Sequence, residues 1–137
     1  MRIRPIYTLI FVLFFAFPTI LHSQSQQPPL LTFDDLQKFD TSHETFRIVG
    51  YVLDTYKCPP CPPRMMCKPC IPDNITAVDT INEKDFSAMK RLRITTEEPY
   101  KVVRGAKYMF TVKVRGLIDN GKTVYDVDLI SFEKMEQ

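Results

Sequence analysis

The chain has 137 residues, with 45% hydrophobic and 25% charged residues and 4 Gly. Those values exclude a collagen, a low-complexity polymer and a polytopic membrane protein, and they allow one domain at most. The formal charge of +2 falls to zero without Arg2 and Arg4, because 16 acidic residues then face as many basic ones, which disfavours a general polyanion binder. Charge is nonetheless uneven, with residues 90–122 net basic and both flanks net acidic.

Met1-Arg2-Ile3-Arg4 precedes an apolar run from Ile6 to Phe17 that stops at Pro18. Two cations before an apolar stretch too short to span a bilayer outline a signal peptide over 1–25, and Ser23 and Ser25 are the small residues that a cut after Ser25 needs. Cleavage leaves no membrane anchor, and the product is expected to be secreted or periplasmic. Residues 26–31 read as a flexible leader and 32–137 as a single domain. Thr32 stands as an N-cap, Asp34 and Asp35 fill the first turn, and Phe33, Leu36 and Phe39 recur every third residue, which predicts a short amphipathic helix.

Phe46 to Asp54 is β-branched and aromatic on both faces, a buried strand with Gly50 placed for a bend. Residues 57–72 form a Pro/Cys insert after it. Ile75 to Asp79 is a second strand. Asn82 with Asp85 predicts a capped helix over 83–90, with Phe86 and Met89 as its inner stripe. Leu92 to Thr95 is extended. In Lys107 to Arg115, Tyr108, Phe110, Val112 and Val114 alternate with polar partners, and Asn120-Gly121 turns the chain tightly into Val124 to Phe132. On that return strand Tyr125, Val127 and Leu129 share one face, with a bulge expected near Leu129-Ile130.

Five extended segments, a long first strand with a central Gly and a closing hairpin resemble the OB-fold over about residues 46–134. The resemblance implies a mainly β, small five-stranded barrel with one or two short helices. It departs from the family in one respect, since the helix predicted at 83–90 precedes the third strand instead of following it. OB-like barrels commonly bind extended polymers across their strands. Arg93, Lys113 and Arg115 are candidates for a basic face of that kind, although nucleic acid is not a favoured partner for an exported chain.

All 4 Cys fall in Cys58-Pro-Pro-Cys61-Pro-Pro-Arg-Met-Met-Cys67-Lys-Pro-Cys70, a C-x2-C-x5-C-x2-C spacing. Four thiolates at that spacing can surround zinc, and Met65 and Met66 add thioether ligands for copper. The prolines oppose this, because they remove the amide donors that offset thiolate charge, and they equally prevent the helix that activates a redox Cys-x-x-Cys. In an exported chain the expectation is two disulfides. The spacing is symmetric about Arg64, so nested bridges Cys58–Cys70 and Cys61–Cys67 are predicted over the other two connectivities. No resident cofactor is expected; zinc or copper binding, or thiol-redox chemistry, is the alternative.

His43 lacks a neighbouring catalytic or ligand pattern, Asp126 and Asp128 read as a solvated strand face, and Asn74-Ile75-Thr76 matches a glycosylation acceptor. No enzyme activity is expected. The chain reads as an exported binding or structural module whose stapled loop presents Arg64, Met65 and Met66 to a protein or polymer ligand outside the cytoplasm.

Overall fold

The computed structural model describes residues 27–39, 44–82 and 84–136. The segment expected to be a signal peptide, residues 1–25, and His43 lie outside the described residues. The described residues form six strands: β1 (Leu30–Leu31), β2 (Thr45–Tyr56), β3 (Asn74–Val78), β4 (Arg91–Thr95), β5 (Lys107–Ile118) and β6 (Thr123–Lys134). They run in the order β1-β2-β3-β4-β6-β5, and a further pairing of β2 with β5 closes β2 to β6 into a five-stranded barrel. β4 and β6 pair in parallel, whereas the β2–β3, β3–β4, β5–β6 and β2–β5 contacts are antiparallel. The mainly β, closed barrel is compatible with an OB-like architecture.

β2 explains how so short a chain closes. Thr45 to Tyr51 pair with β5, and Tyr51 to Tyr56 pair with β3, so one strand serves both sides of the barrel. Gly50 sits at the handover. A Cβ there would lie 3.0 Å from the Val78 carbonyl oxygen and 3.1 Å from the Phe33 ring, so the missing side chain lets β3 and Phe33 close on the bend. A register shift between Val52 and Asp54 adds the bulge that this geometry requires. Phe46, Ile48, Ile75, Leu92, Ile94, Phe110, Val112 and Val127 fill the interior, all completely buried.

The hairpin after β5 forms as the sequence predicts, but its connection is the four residues Asp119 to Lys122 between the paired Ile118 and Thr123, and Asp119 joins Asn120 and Gly121 at positive φ. Tyr108, Phe110 and Val112 face the core. On β6 the expected face is wrong in part. Val124 and Val127 are buried and Tyr125 is exposed, because Gly116 pairs with Asp126 and Leu117 with Val124, leaving Tyr125 unpaired at a bulge. The bulge expected near Leu129-Ile130 is also present, since Thr111 pairs with Ser131 and Val112 with Leu129.

Helical structure among the described residues is confined to two 3-10 turns, Asp35–Lys38 and Pro99–Lys101. A spacing of three between Phe33, Leu36 and Phe39 suits a 3-10 turn better than an α-helix. The Asp35 carboxylate accepts from the Thr32 amide and hydroxyl, 2.7 Å each, and these bonds hold its carboxyl below the usual range. The helix predicted over 83–90 does not form. Asn82 Oδ1 accepts from the Lys84 and Asp85 amides, and Asp85 Oδ1 from those of Ser87 and Ala88, so the capping side chains serve successive turns. Of the inner stripe only Met89 is buried, and Phe86 stays 53% exposed; a helix this short needs a buried face to persist. The second 3-10 turn instead lies between β4 and β5, the third and fourth barrel strands.

The leader is more ordered than its composition implies. Leu30 and Leu31 pair in parallel with Arg47 and Ile48. Pro29 O accepts from the Arg47 amide at 2.7 Å, and Pro28 O from Arg47 Nε at 2.9 Å. No described helix is long and apolar enough to cross a membrane.

Candidate recognition surface

The Pro/Cys insert joins β2 to β3, and its base is fixed by polar contacts to the barrel. Asp73 Oδ1 accepts from the Cys58 amide at 2.7 Å, while Asp73 O accepts from the Thr96 amide at 3.0 Å. Asn74, buried at the start of β3, donates its side-chain amide to Pro72 O at 2.8 Å. The Lys57 ammonium lies 5.3 Å from the Tyr100 ring centroid, tying the insert to the β4–β5 connection. Asn74 of the glycosylation acceptor is therefore an internal strap, and its amide is inaccessible in the folded chain.

Above that base, Cys58 is bonded to Cys70 and Cys61 to Cys67, with Cα–Cα separations of 5.8 and 5.9 Å. The nested pairing is the one that symmetry about Arg64 predicts. At the tip the Met65 amide donates to Pro62 O at 3.3 Å, and Arg64 has φ 69°. Proline at the second position and positive φ at the third is the pattern of a type II turn, where Gly or Asn is the ordinary third residue. The Cys61 sulfur lies 3.3 Å from Met65 O. Every residue from Pro59 to Pro72 is exposed. Met65 is 65% exposed and Met66 103%, and Arg64 beside them is exposed too, so the tip of the loop holds two large apolar side chains and one cation clear of the barrel.

In disulfide form the four sulfurs are engaged with one another and are not thiolate ligands. A four-thiolate zinc or copper site would require both bridges to open, and the five prolines between Cys58 and Cys70 would still withhold amide donors. The two bridges fit a non-reducing, extracellular or periplasmic environment.

Arg93, Lys113 and Arg115 are each matched with a carboxylate. Arg93 reaches Asp126 at 3.1 Å, Arg115 reaches Asp128 at 3.5 Å, and Lys113 lies 4.0 Å from Glu44. Asp126 is not the solvated residue its strand position implies. It is buried and also accepts from the Thr95 hydroxyl at 3.2 Å. The Tyr125 ring crosses Gly116, where a Cβ would meet it at 2.8 Å, and lies 5.7 Å from the Arg93 guanidinium. A Gly in mid-strand was the sequence signal for this packing. At these three positions the positive charge is offset locally by a neighbouring carboxylate.

A groove of about 900 Å³ opens beside the base of the insert, lined by Pro72 and Asp73, by Thr95 to Glu98 and Lys101, and by Asp128 to Phe132 of β6. It was not foreseeable from local sequence, because it depends on where β4 stops beside β6. Lys101 pairs with Glu98 at 2.6 Å and holds its carboxyl below the usual range. No family model, curated protein or solved structure matches the chain.

Proposed function

We propose that the chain is an exported, non-enzymatic binding module that recognises a protein or polymer ligand through the tip of its disulfide-stapled loop. One observation carries this reading: Arg64, Met65 and Met66 stand exposed on a turn held by two nested bridges. Such a turn contributes through preorganisation. Prolines and disulfides remove most of the freedom that a loop otherwise loses on binding, and thioethers adapt to an irregular apolar surface. The positive φ of Arg64 fits the same reading. A side chain held where glycine is favoured carries a steric cost, and such costs cluster at recognition and switch sites.

The test compares the wild type with R64A/M65A/M66A, both immobilised under non-reducing conditions against an extracellular or periplasmic extract. A ligand retained by the first and lost by the second is the expected result. A ligand retained equally by both rejects the tip as the contact surface. Ellman titration of the unreduced protein addresses the zinc, copper or thiol-redox alternative, because four free thiols would favour that alternative and remove the stapled loop.

A further inference from the structure

Parity along β6 shows which backbone groups remain free. The Met135 amide donates to Lys107 O at 3.0 Å, and Tyr108 pairs with Lys134, Met109 with Glu133 and Phe110 with Phe132. Antiparallel ladders alternate hydrogen-bonded and non-hydrogen-bonded pairs. Glu133 and Met135 therefore turn their amides and carbonyls toward β5, while Phe132 and Lys134 turn theirs away from it. On β5 the corresponding outward groups belong to Tyr108 and Phe110, and β2 takes them through Gly50 and Ile48. On β6 nothing among the described residues does so, since the pairing with β4 ends at Thr95 and Asp128. An edge of this kind is a template for an added strand.

The edge borders the groove, and the groove's charge selects the occupant. Asp73, Glu97, Glu98 and Asp128 line it against Lys101. Glu97 has no ion pair or side-chain hydrogen bond among the described residues, whereas Glu98 and Asp128 are already matched by Lys101 and Arg115. Ile130 and Phe132 add exposed apolar surface. We propose that the free edge of β6 accepts an extended basic peptide as an added strand. Its backbone pairs with Phe132 and Lys134, and its Lys or Arg side chains face Glu97. A second copy of this chain suits the edge less well, because its own acidic groove would meet like charge, and a bulge at Ile130 is a device that discourages edge-to-edge self-pairing. The proposal is independent of the loop tip.

The probe is a capped octapeptide alternating Lys and Val, titrated into the wild type, K134P and K134A and followed by backbone amide shifts. K134P removes an outward donor without taking a bond from the β5 ladder; K134A keeps the donor and removes only the side-chain charge. Expected are shifts concentrated at 129–134, affinity at least about tenfold weaker for K134P, and affinity undiminished for K134A. E97Q weakens the Lys peptide, and a Glu-for-Lys peptide binds less well than either. A peptide methylated on alternate amides repeats the backbone test from the ligand side should K134P not fold. Equal affinity for K134P and wild type, or for the methylated and plain peptides, overturns strand addition. Equal affinity for the Glu peptide overturns the basic occupant, and so does a concentration-dependent dimer that protects the 129–134 amides.

Discussion

Phe46, Ile48 and Phe110 in the barrel wall have no exposed surface, whereas no residue from Pro59 to Pro72 is buried. The barrel is ordered by apolar packing and a closed ladder. The loop is ordered by two covalent bridges, six prolines between Pro59 and Pro72, and a few polar ties at its base. The two regions thus draw on different physics, and burial cannot stand in for crosslinks at the tip. On the chain-entropy estimate the outer bridge contributes at most about 3 kcal/mol, and its effect is local because so little of the loop touches the core.

The largest expected effect tests the barrel side of the contrast. Phe46→Ala should cost about 3–5 kcal/mol in urea unfolding under non-reducing conditions, and a loss under about 1 kcal/mol would mean that the wall is not packed as described. Gly50→Ala comes next, because its Cβ meets backbone at Val78 as well as the Phe33 ring. A cost of about 1–3 kcal/mol is expected, and a neutral outcome would show that the bend is looser than its contacts imply.

Arg64→Gly acts on the loop alone. Relief of the positive φ should stabilise the turn by less than about 1 kcal/mol, seen as slower exchange of the Met65 amide with barrel stability unchanged. Smallest is the pH effect beside the groove. Lys101 holds the Glu98 carboxyl low, and Glu98 holds the Lys101 ammonium high. The Glu98 contribution is present above the ordinary carboxylate value and is lost as pH falls through the lowered one. The Lys101 contribution is present below the ordinary ammonium value and is lost as pH rises through the raised one. K101A should return the Glu98 titration, followed by NMR, toward the ordinary range; an unmoved midpoint would remove the pair.

Features set by residue type at a single position were legible in the sequence. Asn120-Gly121 specified the hairpin, Gly50 marked the bend, and the Cys spacing about Arg64 gave the bridge pairing, since each depends on local geometry. Features set by distant partners were not. Asn82 and Asp85 carried real capping signals, but Phe86 found no core to cover and the helix did not form. Asp126 looked solvated until β4 brought Arg93 and Thr95 alongside it. The groove and the free β6 edge arise from the point where β4 ends, a tertiary fact with no local signature. The stapled shape of the loop, by contrast, was readable because its constraint lies within thirteen residues.

The separation of crosslinked loop from packed barrel is tested most directly by amide hydrogen exchange before and after reduction with a dithiol. Release of the Cys58–Cys70 and Cys61–Cys67 bridges should leave protection in β2, β5 and β6 unchanged while residues 59–69 become fully exchanging and mobile. Loss of protection across β2 and β3 on reduction, or a loop that keeps its shape with all four thiols free, would contradict the account.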